Sequence, residues 1–199
     1  NLWITTLGNG VYFYPRQTIP SYTTVLPEEH QRVNKLLGVN NRLYLGTYNG
    51  RIYSYDPMDH RASLLVESSA PKNDIFDRVM SMVSLSTGEL LIGKDTGLYL
   101  LEGDSLKLLV RLAIKSLFID IDDGLLINTQ GNCLQVSRSL LEKWRKNVEF
   151  DYKKFKVKAK IITEGRGYTS FVSKDGTIWT DNTARGLISY RNGVTTYWQ

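Results

Sequence analysis

The chain has 199 residues, a formal net charge of +5 and 42% hydrophobic residues, and no stretch approaches the ~18 uninterrupted apolar positions of a membrane-spanning helix. Its one cysteine, Cys133, excludes an internal disulfide, and its two histidines, His30 and His60, lack the spacing of a zinc site. Twelve tyrosines and four tryptophans against five prolines suit a mostly β chain with a large buried core, and no charged-then-apolar leader opens the sequence.

Leu2-Trp3-Ile4-Thr5-Thr6 reads as a strand, followed by the turn Gly8-Asn9-Gly10 and a second strand, Val11-Tyr12-Phe13-Tyr14. The pattern then returns with a strand ahead of it. An apolar run over 33–39 and the turn Asn40-Asn41 lead into Leu43-Tyr44-Leu45-Gly46-Thr47; Tyr48-Asn49-Gly50, Ile52-Tyr53-Ser54-Tyr55 and an outer strand over 63–66 follow. A third copy runs through 79–85, Ser86-Thr87-Gly88, Leu90-Leu91-Ile92-Gly93-Lys94, Asp95-Thr96-Gly97 and a strand over 106–110. A fourth has 114–121, Asp122-Asp123-Gly124, Leu125-Leu126-Ile127-Asn128-Thr129 and Gln130-Gly131-Asn132; a fifth has 168–172, Lys174-Asp175-Gly176, Ile178-Trp179-Thr180-Asp181-Asn182 and Ala184-Arg185-Gly186.

From Trp3 to Tyr44, Leu91, Leu126 and Trp179 the steps are 41, 47, 35 and 53 residues, near the ~40–50 of a four-stranded propeller blade. The turns are built from residues that tolerate left-handed backbone, as tight hairpins require. The second strands are apolar at consecutive positions, which predicts cover on both faces, with Leu43, Leu45, Leu90, Ile92, Leu125 and Ile127 buried between blades. The predicted fold is therefore an all-β propeller of four-stranded antiparallel blades, in units 1–32, 33–78, 79–113, 114–166 and 167–199. Blade one lacks a first strand, so the expectation is a partial propeller of about five blades cut from a longer array. The alternative is a five-bladed ring closed by the strand over 195–198 pairing near blade one.

One segment, 137–160, breaks the repeat. Residues 139–146 make two helical turns capped by Ser137 or Ser139. Beyond them strict alternation puts Phe155, Val157, Ala159 and Ile161 on one face and Lys154, Lys156, Lys158 and Lys160 on the other. Eight Lys or Arg against Glu149 and Asp151 give the stretch 143–160 a net charge of +6. It reads either as a receptor for an acidic polymer or as the outer strand of blade four, its lysines blocking edge-to-edge pairing. Aromatic and basic residues alternate at Tyr152-Lys153-Lys154-Phe155, but the other aromatics recur at equivalent blade positions, which argues for core packing and against nucleic acid.

The phrases resemble the two-component regulator propeller repeat of bacterial sensor proteins, whose blades carry a phrase close to G-N-L-W-I-G-T followed by G-L-Y-R-Y. Asn1-Leu2-Trp3-Ile4-Thr5-Thr6 with Gly10-Val11-Tyr12-Phe13-Tyr14 carries the match, as does Asn41-Arg42-Leu43-Tyr44-Leu45-Gly46-Thr47 with Gly50-Arg51-Ile52-Tyr53-Ser54-Tyr55-Asp56. Arg32-Val33 and Arg78-Val79 match the family's start of the first strand, while Asn128 and Asp181 depart from its glycine. The resemblance covers nearly the whole chain. It implies a non-catalytic, periplasmic sensing region of a hybrid two-component system, responding to a glycan breakdown product, with the histidine kinase and membrane span outside these residues.

In propellers the loops leading into first strands and those joining second to third strands gather at one end of the axis, where several blades can touch one ligand. Here they hold His30, Arg32, Arg78, Arg166 and Tyr168, and Asn9, Tyr48, Asn49, Lys94, Asp95, Gln130, Asn132, Asp181, Asn182 and Arg185. The candidate ligand-binding residues are Tyr48, Lys94 and Arg185, which no repeat-wide role explains, with Arg32, Arg78 and Tyr168. The asparagines are turn residues by position, and the recurrence of Arg32 and Arg78 fits interblade packing as well as a ligand. The partner expected is an oligosaccharide or other small polar ligand, with further blades of the same chain or a second copy as the scaffold alternative. No catalytic set, metal or cofactor is assigned. Asp120, Asp122 and Asp123 could serve glycoside hydrolysis, but they read first as hairpin-turn residues, and no Gly-x-Ser-x-Gly elbow occurs. A polysaccharide lyase or hydrolase is the competing class.

Overall fold

The computed structural model describes residues 2–5, 10–14, 26–27, 32–68, 77–146 and 159–198. Blade one contributes β1 (Leu2–Thr5) and β2 (Val11–Tyr14), an antiparallel pair. Each of the next four blades is a four-stranded antiparallel meander in chain order. Blade two is β3 (Val33–Val39), β4 (Arg42–Thr47), β5 (Ile52–Asp56) and β6 (Arg61–Val66); blade three is β7 (Val79–Ser84), β8 (Leu90–Lys94), β9 (Leu98–Glu102) and β10 (Ser105–Val110). Blade four is β11 (Ile114–Ile119), β12 (Leu125–Thr129), β13 (Asn132–Val136) and β14 (Lys160–Glu164), with α1 (Arg138–Lys146) between its last two strands; blade five is β15 (Ser170–Val172), β16 (Ile178–Asn182), β17 (Gly186–Arg191) and β18 (Val194–Trp198).

The first strands β3, β7, β11 and β15 are neighbours in succession, and β1 adjoins β3, so the sheets stand side by side as propeller blades. Their packing follows from the two-sided second strands. Leu43 and Leu45 face blade one with Val11, Tyr53 and Tyr55, whereas Leu90 and Ile92 face blade two with Ile52, Val66 and Val79. Leu125 and Ile127 face blade three with Leu98, Leu100 and Leu117. All six of these strand residues are buried. The residue between them, Leu91 or Leu126, points the other way into the next interface.

The first and second strands are joined by hairpins whose left-handed positions match the sequence: Asn40 and Asn41 (φ 50° and 59°), Gly88 (φ 85°), Asp123 (φ 55°) and Gly176 (φ 80°). The strand β18 pairs antiparallel with β17 as the outer strand of blade five, and among the described residues it pairs with no strand of blade one, the ring-closing pairing envisaged for 195–198.

The break in the repeat is a helix followed by a strand. Ser137 caps α1 through its carbonyl and hydroxyl, both accepting from Leu140 N–H, and Leu140, Leu141 and Trp144 bury against the core between blades three and four. The outer strand of blade four begins at Lys160; Lys154, Lys156, Lys158, Phe155 and Val157 of the alternating stretch lie outside the described residues, as do Tyr152, Lys153, His30 and Asn9. The alternation predicted through Ile161 is overturned within β14. A bulge opposite Cys133 and Leu134 shifts the register, so Ile162 is buried while Ile161 is 39% exposed.

Candidate functional site

In blades two and three the backbone ties the residue after the second strand to the residue before the first. Tyr48 N–H donates to the Arg32 carbonyl at 2.8 Å, and Asp95 N–H to the Arg78 carbonyl at 3.3 Å. The side chains therefore stand in pairs at one end of the blades. The Arg32 guanidinium lies 4.1 Å from the centre of the Tyr48 ring, and Arg78, from the next blade, lies 5.4 Å from the same centre. Arg78 also grips Asp95 with two hydrogen bonds, Nε at 2.7 Å and Nη2 at 3.0 Å, and Lys115 of blade four reaches the same carboxylate at 3.5 Å. Arg32, Tyr48, Arg78, Asp95 and Lys115 thus form one row across blades two, three and four.

The row is electrostatically tuned. Burial alone would raise the Asp95 carboxyl, but the hydrogen bonds and charge of Arg78, helped by Lys115, outweigh it and hold it below the usual carboxylate range. The hydrogen bond to Asp95 raises Arg78 in turn, against the opposing effect of burial. Such a row offers an aromatic face, guanidinium donors and a fixed carboxylate, the chemistry that meets hydroxyls, carboxylates and the apolar face of a ring.

Three of the six predicted residues, Arg32, Tyr48 and Arg78, are brought together here. Tyr168 stands in blade five, half-exposed, with Arg166 4.7 Å from its ring centre and its N–H held by Asp181 Oδ1 at 2.7 Å. Arg185, in the turn after β16, leans to the outer strand and donates to the Tyr197 hydroxyl at 2.8 Å. Neither joins the row.

Lys94 was expected in a ligand-facing loop and is instead fully buried. Its ammonium donates to Asp77 Oδ2 at 2.5 Å and to the Gly50 carbonyl at 3.1 Å, pinning blade three to blade two. Burial pushes Lys94 below the ordinary lysine range, against the pull of Asp77. The reason is positional: Lys94 ends the strand phrase, where the other blades keep a small polar side chain that organises the turn. Thr47 Oγ1 accepts from Arg51 N–H, Thr129 Oγ1 from Gly131 and Asn132 N–H, and Asn182 Oδ1 from Ala184 and Arg185 N–H.

Lys115 was missed because it lies in an apolar run. A lysine inside a core strand, 8% exposed, was nevertheless a readable signal that a carboxylate stands nearby. The acidic cluster is turn chemistry: Asp123 N–H donates to the Asp120 carbonyl at 3.1 Å, and the Asp120 carboxylate accepts from Ile121 N–H and Gln135 Nε2.

Comparison of the fold with solved structures finds propellers of several kinds. The chain superposes on the extracellular domains of two proteins assigned to hybrid two-component systems of B. thetaiotaomicron: one at TM-score 0.66 and 18% identity over 93% of this chain, the other at 0.67 and 16% over 99%. It spans about a quarter of each, 24% and 25% of their lengths. A gluconolactonase from Xanthomonas campestris superposes at TM-score 0.61 and 10% identity, over 85% of this chain and 63% of that one. At these identities the likeness is one of fold. No family model matches the sequence, and no curated protein matches it significantly.

Proposed function

We propose that this propeller portion is the ligand-receiving part of a periplasmic sensor in a bacterial two-component system, non-catalytic in itself, and that it takes an oligosaccharide at the row of Arg32, Tyr48 and Arg78. The observation that carries this reading is the Tyr48 ring, reached by guanidinium groups from two different blades at 4.1 and 5.4 Å. A sugar laid on that ring presents its C–H face to the aromatic and its hydroxyls to the arginines. Because the donors come from adjacent blades, occupancy bears on how those blades sit together, a property that a signalling protein can transmit. The shared fold of the two-component extracellular domains supports the sensing role, and the repeat resemblance at Arg32-Val33 and Arg78-Val79 points the same way.

Calorimetry against a panel of neutral and acidic oligosaccharides, with product analysis on the same mixtures, tests the reading. Saturable binding without turnover is the expected result. Turnover would replace it with a propeller lyase or hydrolase, and neither binding nor turnover would leave an interaction scaffold, including a homodimer, as the better account.

A further inference from the structure

The row repeats an arrangement and changes one member of it. In blade three the residue before the first strand is Arg78 and the residue after the second is Asp95, and the guanidinium takes the carboxylate through two hydrogen bonds. In blade two the same positions, tied by the same backbone hydrogen bond, hold Arg32 and Tyr48. The acid is replaced by a ring. Among the described residues Arg32 has no carboxylate partner, and it is exposed. Asp95 is held by Arg78 and Lys115. Arg32, Arg78 and Lys115 with Asp95 leave the row two positive charges in excess.

Resting on the reading of this row as an oligosaccharide site, we infer that its ligand carries a carboxylate, as a uronic acid residue does, and that Arg32 receives that carboxylate as Arg78 receives Asp95. The two oxygens of a planar carboxylate match the fork of a guanidinium, whereas a hydroxyl presents a single uncharged oxygen. The neighbouring ring then holds the sugar that bears the acid. One residue has the charge and the other the surface, so the pair recognises an acidic sugar where neither would alone.

Calorimetry on the full chain with matched probes tests this: galacturonate, glucuronate and mannuronate trisaccharides, each beside its carboxyl-reduced neutral counterpart. The expected result is that at least one uronate binds and its neutral counterpart binds at least tenfold more weakly. Arg32→Gln should weaken the uronate by about tenfold to a hundredfold, as loss of a charge-assisted hydrogen-bonded pair does, and should weaken the neutral sugar several-fold less than it weakens the uronate. Arg32→Lys should restore part of the loss. Equal binding of acid and neutral probes, or an Arg32→Gln protein that binds the uronate normally, overturns the inference while the oligosaccharide reading stands. Tighter binding of a sulfated neutral trisaccharide than of any uronate also overturns it. Failure of every probe to bind removes the oligosaccharide reading and the inference with it.

Discussion

Gly46 of blade two lies directly beneath Val79 of blade three: a Cβ built on the glycine would stand 2.8 Å from the valine Cβ and closer still to Cγ1. The glycine of the strand phrase is thus a packing device, allowing the first strand of the next blade to approach. Gly93 repeats the arrangement under Ile114, where the added Cβ would meet Cγ2 at 2.5 Å. At blade four the phrase has Asn128 instead, and the opposing residue shrinks to Ser170. The steric fit becomes a polar one: Asn128 Nδ2 donates to Ser116 Oγ at 2.9 Å and to Ser170 Oγ at 2.8 Å, and Thr180 completes the buried network. A departure from the repeat is therefore compensated by the blade it faces.

Gly46→Ala should destabilise the chain by about 1–3 kcal/mol, the cost of overpacking a filled interior. In a Val79→Ala background both γ-methyl contacts are gone and only the Cβ contact remains, so the same substitution should cost less, and the two changes should couple. Urea unfolding of the four proteins of the cycle measures it. Additive losses would show that the two residues do not meet.

Lys94→Met should cost about 3 kcal/mol or more by leaving the Asp77 carboxylate buried without its cation. The double change Lys94→Met with Asp77→Leu should recover much of that loss, because two desolvated charges disappear together. Oligosaccharide affinity should be unchanged in whichever of these proteins folds. A Lys94→Met protein as stable as the parent, or one that selectively loses affinity, would return the lysine to a ligand-binding role.

Strand order, hairpin turns and interblade burial were legible because each rests on local chemistry repeated several times: left-handed asparagine and glycine at turns, and apolar neighbours on a strand covered twice. The meeting of Arg32, Tyr48 and Arg78 was legible as position, since all three stand at strand ends, but Arg78 reaches Tyr48 across a blade boundary and no local pattern sets that. Lys94 shows the limit. The same position of the strand phrase holds threonine in three other blades, and only the packed fold shows that Asp77, seventeen residues earlier, waits inside for its ammonium. The failure at Ile161 has the same origin, because a bulge is decided by the partner strand.

Asp175 should titrate at about 2, below the 3.8 of an ordinary aspartate, because its carboxylate accepts the Ser173 hydroxyl first, then Thr177, with Arg191 a lesser contributor. Its folded value is depressed, so its contribution to stability is present above the unfolded value near 3.8 and is lost as pH falls towards 2. Carboxyl NMR titration checks the midpoint. Ser173→Ala should raise it more than Arg191→Gln does, and the reverse order would show that charge, not hydrogen bonding, sets the shift.

Tyr48→Ala and Arg185→Ala separate the two places where aromatic and guanidinium groups meet. Tyr48 is the ring against which Arg32 and Arg78 lie, so its loss removes the stacking surface and releases both guanidinium groups; binding of neutral and acidic sugars alike should fall by about tenfold or more. Arg185 sits in blade five and is turned to Tyr197 of the outer strand, 5.3 Å from that ring, so Arg185→Ala should leave affinity within about twofold, as changes of exposed side chains away from a site do. Calorimetry of both variants, with unfolding midpoints to show that each is folded, decides between the places. If Arg185→Ala abolishes binding and Tyr48→Ala does not, the ligand is held at the outer rim of blade five, and the row across blades two to four is structural.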